Sequence, residues 1–237
     1  MSRTVLITGG SGALGRAIVT RFAQAGDRTY FTYRRTETAA LELAASTGAI
    51  AIQADLLQAT EVAALVARID REAGPIEVLV NNAGLTQVMP FALIEEEDWD
   101  QVLDGCLKTM FLVTKETVRG MIASKRGAIV NIGSIAGKRL LEVPVHYATA
   151  KSAVSGFTLS LARELARYQV RVNAVIPGML EEGVSSLVPD KQKAEFLRFC
   201  LAGRTGATSE VAEAVFFLAS PAASYINAQE LVVDGGL

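Results

Sequence analysis

Cysteine is almost absent from this chain. Cys106 and Cys200 are the only two, widely separated and set in apolar surroundings, so a disulfide framework is not expected and both read as buried free thiols. A single histidine, His146, leaves a zinc site short of ligands. No apolar run is long enough to span a bilayer. Neither sign of charge is in excess: a formal net charge of −2 gives no general attraction to phosphate backbones or anionic membranes, which argues against nucleic acid and membrane as partners. Proline- or serine-rich linkers, low-complexity segments and solenoid-period repeats are also missing, which favours one continuous domain over residues 1–237. Met1-Ser2-Arg3-Thr4 leads into Val5-Leu6-Ile7-Thr8-Gly9, which turns glycine-rich at once and lacks the long apolar core of a secretory signal. A cytoplasmic location is the expectation.

Apolar residues are plentiful, half of the 237, enough for a substantial core. Short runs rich in β-branched residues recur at 4–8, 28–33, 49–54, 78–81, 128–132, 170–176 and 230–233. Helical patterns lie between them at about 13–26, 36–47, 60–73, 98–124, 145–168 and 208–219, with Asp98 and Thr208 as candidate N-caps. Stretches such as Ile129-Val130-Asn131-Ile132 are apolar without strict alternation, as expected of strands covered on both faces. The pattern predicts an α/β fold: a doubly wound parallel sheet of about seven strands with helices on both faces. Only 178–206 is poorly patterned.

Directly after the first strand stands Thr8-Gly9-Gly10-Ser11-Gly12-Ala13-Leu14-Gly15, followed at once by a helix. Small residues let backbone approach a pyrophosphate, while the N–H groups and positive end of the helix face the anion. Gly9, Ser11, Gly12, Ala13 and Leu14 are therefore candidate cofactor contacts. The second strand ends Thr32-Tyr33-Arg34-Arg35, without the acidic residue that would accept hydrogen bonds from an NAD ribose. Guanidinium groups at Arg34 and Arg35 complement a 2′-phosphate instead, which points to NADPH.

Ser134 lies just past the strand ending at Ile132, and Tyr147 and Lys151 follow at a four-residue spacing on a helical pattern. One helical turn apart, phenol and ammonium share a face. A neighbouring ammonium stabilises phenolate, so such a phenol can act as a general acid. A serine hydroxyl beside it can hydrogen-bond an oxygen on which negative charge develops.

Together these residues make the chain resemble the classical short-chain dehydrogenases/reductases over its whole length. The resemblance extends through Ala54-Asp55-Leu56, Asn81-Asn82-Ala83-Gly84, Asn131-Ile132-Gly133-Ser134, Tyr147-Ala148-Thr149-Ala150-Lys151, Arg171-Val172-Asn173-Ala174, Pro177-Gly178 and Val233-Asp234-Gly235-Gly236. It implies a Rossmann-type fold and catalysis by Ser134, Tyr147 and Lys151. It also implies that Asp55 and Leu56 lie near the adenine, that Asn82, Ala83 and Gly84 pass along the cofactor, that Lys151 also holds the nicotinamide ribose, and that Pro177 and Gly178 border the nicotinamide. Within the family the chain looks most like bacterial 3-oxoacyl-[acyl-carrier-protein] reductases, through Trp99, Phe111, Ser160-Leu161-Ala162-Arg163-Glu164-Leu165, Ala202-Gly203-Arg204 and Phe217-Leu218-Ala219-Ser220. That subgroup uses NADPH and transfers the pro-S hydride.

Three positions depart from the family. Ala13 replaces the middle glycine of the turn, a small change. Cys106 stands where the family has an asparagine that holds a proton-relay water. A thiol cannot supply both amide functions, but the backbone carbonyl remains, and a locally distorted helix would keep the water; slower turnover is expected. Glu182 stands where relatives place a threonine against the nicotinamide amide. His146 adjoins Tyr147 but faces elsewhere on a helix and receives no catalytic role.

The leading expectation is NADPH-dependent reduction of a 3-oxoacyl thioester, carrier-protein-bound, in fatty-acid or polyketide assembly. Arg126, Lys138 and Arg139 are candidates to meet an acidic acyl carrier protein. Two alternatives stand beside it: turnover of a free small ketone or alcohol, and a weakly catalytic, cofactor-binding subunit of a hetero-oligomer with a related chain, suggested by Cys106 and Glu182. The resemblance further implies a homotetramer paired through the helices at 98–124 and 145–168; Phe111, Phe157 and Leu161 suit burial there, and core packing would explain them equally well.

Overall fold

A computed structural model describes residues 2–237 of the chain. Seven strands form one wholly parallel sheet: β1 (Thr4–Ile7), β2 (Arg28–Tyr33), β3 (Ile50–Gln53), β4 (Val78–Asn81), β5 (Gly127–Ile132), β6 (Val170–Pro177) and β7 (Glu230–Val233). Their spatial order is β3-β2-β1-β4-β5-β6-β7. The order reverses between β1 and β4, and a crevice opens there at the carboxyl ends of the strands, where such sheets bind ligands. The doubly wound expectation is met.

Successive strand residues face opposite layers, and both layers are apolar. Val5 and Ile7 of β1, Val78 and Val80 of β4 and Val130 of β5 face one side. There they meet Ile18, Val19 and Phe22 of α1 (Ala13–Gln24) and Val211, Val215 and Leu218 of α8 (Thr208–Ala219). Leu6, Leu79, Ile129 and Val172 face the other side, beneath Val62, Leu65 and Ile69 of α3 (Ala59–Ala73). This double burial explains why the strands read as continuous apolar runs. The remaining helices are α2 (Glu37–Thr47), α4 (Glu96–Leu103), α5 (Thr109–Ser124), α6 (Val145–Leu165) and α7 (Asp190–Phe199).

The structure differs from expectation in local ways. The single helix expected over 98–124 is α4 and α5 joined by a π-helical turn, Asp104–Lys108. Asp98 is not an N-cap but sits in the first turn of α4, where its Oδ2 accepts from the Glu95 N–H at 3.3 Å. Thr208 is the first residue of α8 rather than its cap, and Glu210 accepts from the Ala207 N–H at 2.8 Å. Helix α7 lies in the stretch that carried no pattern, because its only buried residue is Phe196. Among the described residues, no helix is long and apolar enough to cross a membrane.

Candidate active site

The crevice is a cavity of about 1030 Å³. One end is built by the turn from β1 into α1. Gly12 precedes α1 with no side-chain cap, and no acid stands in the first turn, so the backbone N–H groups and the positive helix end stay available to an anion. Glycine is required where the turn folds on itself. A Cβ on Gly15 would lie 2.2 Å from the Gly9 carbonyl oxygen, and one on Gly10 would lie 2.6 Å from Phe31.

A second loop is locked beside this turn. Thr8 Oγ1 accepts from the N–H groups of Asn82 and Ala83, each at 2.9 Å, while Asn82 Nδ2 donates to the carbonyls of Thr8 and Gly9. Gly9, Ser11, Gly12, Ala13, Leu14, Arg34, Arg35, Asn82, Ala83 and Gly84 all line the cavity. Arg34 is also paired with Asp55, Nη2 to Oδ2 at 3.2 Å. Asp55 and Leu56 are not on the cavity wall: Asp55 stands behind Arg34, and Leu56 is buried in the core against α3. The uncapped helix end, the close-approach glycines and the arginines suit a phosphorylated dinucleotide.

The other end holds the chemistry. Ser134 is extended at the end of β5, and its Oγ accepts from the Ala136 N–H at 3.1 Å. Close packing sets this loop against α6, since a Cβ on Gly137 would lie 2.6 Å from the Ser152 nitrogen. Tyr147 and Lys151 follow on α6, with the Lys151 Nζ 5.9 Å from the centre of the Tyr147 ring. Lys151 is buried and donates to the Ile132 carbonyl at 2.9 Å, which fixes its ammonium under the cavity. Ser134, Tyr147, Lys151, Pro177 and Gly178 line the same cavity as the glycine-rich turn. The arrangement can place a hydroxyl donor and a proton donor against one oxygen.

Cys106 is buried within the π-helical turn and donates from Sγ to the Leu85 carbonyl at 3.3 Å. A Cβ on Gly84 would lie 3.4 Å from this thiol and 3.6 Å from the Lys151 Nζ, so both groups close on the same glycine. The helical distortion anticipated at this position is present. Glu182 lies on the cavity wall and turns toward α1, 3.4 Å from Arg16. His146 is fully buried, its Nε2 unpartnered; burial pushes its pKa down, against a smaller upward pull from Asp98, and favours the neutral ring. It lies off the cavity.

The charges singled out for docking are occupied within the chain. Lys138 pairs with Glu230 at 2.6 Å, Arg139 approaches Asp234 at 3.9 Å, and Arg126 pairs with Glu77 at 2.8 Å. The apolar wall beyond Ser134 is formed by Leu141, Met179, Phe196 and Leu237; the first three fall in the 137–145 and 178–205 segments, where the sequence places pocket walls, whereas Leu237 was not foreseen. Its members come from four separate segments, so no local spacing marks them.

A parallel doubly wound sheet, a glycine-rich turn at its switch point and a Ser–Tyr–Lys cluster facing one cavity define an oxidoreductase of the Rossmann type. Comparison with known proteins carries this further. A family model described as enoyl-(acyl carrier protein) reductase matches residues 10–237. The chain is 35% identical over 237 residues to the 3-oxoacyl-[acyl-carrier-protein] reductase FabG of Vibrio cholerae, covering 99% of this chain and 97% of that protein. It is 36% identical to the FabG of Chlamydia muridarum, covering 100% and 98%. A solved double mutant of a Serratia marcescens short-chain dehydrogenase/reductase superposes with a TM-score of 0.92 at 30% identity, covering 99% of this chain and 97% of the other. The chain belongs to the short-chain dehydrogenase/reductase family and is a short-chain oxidoreductase.

Proposed function

We propose that the chain acts as one unit, 1–237, and reduces the ketone of a 3-oxoacyl thioester to the 3-hydroxyacyl product with NADPH. A carrier protein presents the acyl group, in cytoplasmic fatty-acid or polyketide assembly. The observation that carries this reading is the placement of Ser134, Tyr147 and Lys151 on one wall of the cavity whose far end carries the glycine-rich turn and two arginines. The names of the curated relatives supply the substrate class.

The glycine-rich turn and the Asn82-Ala83-Gly84 loop would hold the dinucleotide, with Arg34 and Arg35 available to its 2′-phosphate and Pro177-Gly178 available to the nicotinamide end. When bound, a reduced nicotinamide supplies a hydride to the ketone carbon. Ser134 donates a hydrogen bond to the ketone oxygen, and Tyr147 gives its phenolic proton to that same oxygen. The ketone thus gains one hydride and one proton and becomes a secondary alcohol. Lys151 stabilises the phenolate left on Tyr147, held in place by the Ile132 carbonyl. Because Cys106 offers a thiol already committed to Leu85, the proton that returns to Tyr147 would come from solvent through water held by backbone carbonyls of the π-helical turn alone, and turnover is slow.

A substrate panel tests this reading. Carrier-bound acetoacetyl should be reduced with a higher kcat/KM than free ketones such as acetoacetate esters, and crotonyl thioester should be left intact. A preference for free ketones would move the assignment to small-molecule reduction, and reduction of crotonyl would move it to the activity named by the family model. Inactivity of the pure chain, relieved by a related chain, would assign it to the supporting role in a hetero-oligomer.

A further inference from the structure

The two ends of the cavity differ in chemistry. Beside Ser134 the wall is formed by Ile135 and Leu141 from the loop after β5, Met179 after β6, Phe196 of α7, and Leu237. These side chains pack as one apolar cluster. The exposed carboxylates of Glu142 and Glu195 stand on the same wall next to Leu141 and Phe196.

Leu237 reaches this wall because of the two residues before it. Gly235 and Gly236 both have left-handed backbone, φ +73° and +86°, which folds the chain back after β7 onto the end of α7. Side chains are excluded at both positions. A Cβ on Gly235 would lie 2.7 Å from the Cys200 Sγ, and one on Gly236 would lie 3.0 Å from Leu201. The carbonyls of Gly235 and Gly236 accept from the N–H groups of Ala202 and Leu201 at 2.9 and 3.2 Å. The turn is therefore tied to the residues just after α7.

Resting on the reaction proposed above, we infer that Leu237 and Phe196 form an acyl-tail subsite, and that Leu237 sets the length of tail accepted. An acetoacetyl group ends in one methyl beyond its ketone and leaves most of this wall uncovered. A longer straight alkyl tail covers it, and each methylene removed from water adds affinity. The preferred substrate is thus a 3-oxoacyl group with an alkyl tail several carbons long.

The test uses the NADP-loaded protein and two ligand series. The first is saturated straight-chain acyl-N-acetylcysteamine thioesters, which lack the ketone, titrated by calorimetry. The second is 3-oxoacyl-N-acetylcysteamine thioesters from acetoacetyl to 3-oxododecanoyl, followed as kcat/KM. Affinity for the saturated series should rise by about three- to fourfold per methylene up to a limiting length. Leu237→Ala should move that limit to longer tails and Leu237→Phe to shorter ones, with the change in kcat/KM smallest for acetoacetyl and growing with length. Affinity independent of length, or a uniform loss across all lengths in both variants, would overturn the subsite. Length-dependent binding without reduction of any 3-oxoacyl thioester would retain the subsite and refute the proposed reaction. Reduction with a flat length profile would do the opposite.

Discussion

Arg34 stands at the rim of the cavity. It pairs with Asp55, and it lines the space where a 2′-phosphate would rest. Arg35 lines the same space and makes no ion pair among the described residues. On this arrangement, Arg34→Ala weakens NADPH binding by about tenfold or more, the scale of a lost charge-assisted hydrogen bond, and leaves NADH binding nearly unchanged. Fluorescence titration with both cofactors checks this, and equal loss would remove Arg34 from phosphate recognition. Cys106 makes the second prediction at this scale. Its Sγ–H is spent on Leu85, so Cys106→Asn, which restores an amide able to donate and accept, should raise kcat several-fold while KM for NADPH stays put. An unchanged kcat would show that the side chain at 106 is outside the proton route. Ser134, Tyr147 and Lys151 were legible in the sequence because strand end and helical spacing are local signals. The Glu182–Arg16 pair and the Leu237 wall were not, since each joins residues far apart in the chain.

At the scale of elements, strands and long helices followed from composition because each buries a face or two in a continuous core. Helix α7 did not, because six of its ten residues are charged or polar and, of the four apolar ones, only Phe196 is buried. The π-helical turn was foreseen only as a condition on Cys106, since one extra residue in a helix leaves no compositional trace. Helix α8 offers a measurable case of end stabilisation. The Arg204 guanidinium, and after it the Ala207 N–H, hold the Glu210 carboxyl down to about 2, from an ordinary value of 4.5. A depressed carboxylate contributes stability that is complete above its unfolded value and vanishes as pH falls through its folded one. Glu210→Gln should therefore lower the Tm at neutral pH, and the gap to the parent should close as pH falls from about 4.5 toward 2. A gap that persists at the acidic end would assign the effect to something other than the ionised carboxyl.

At the scale of the whole molecule, sheet order decides where function sits. Reversal of strand order between β1 and β4 opens the crevice, whose lining includes both the glycine-rich turn with Arg34 and Arg35 and the Ser134, Tyr147 and Lys151 cluster. The parallel fold was legible because the inner strands are covered on both faces, although β7 at the sheet edge has no fully buried residue; assembly was less so. Phe157 and Leu161, open to either a contact between copies or core packing, pack into the chain's own core clusters, whereas Phe111 on α5 and Leu159 on α6 remain about half exposed. Light scattering should find a tetramer, and Phe111→Glu should shift it to smaller species; a monomeric parent would contradict the pairing of α5 and α6.

The central claim is a hydride delivered to a ketone whose oxygen takes its proton from Tyr147. Its most direct test supplies the purified chain with NADPH deuterated at the pro-S position and acetoacetyl bound to carrier protein, then weighs the product. The account predicts a 3-hydroxyacyl group carrying one deuterium on the carbinol carbon, formed by the parent and about a hundredfold or more slower by Tyr147→Phe. Product without label, label on another carbon, or undiminished turnover in Tyr147→Phe would contradict it.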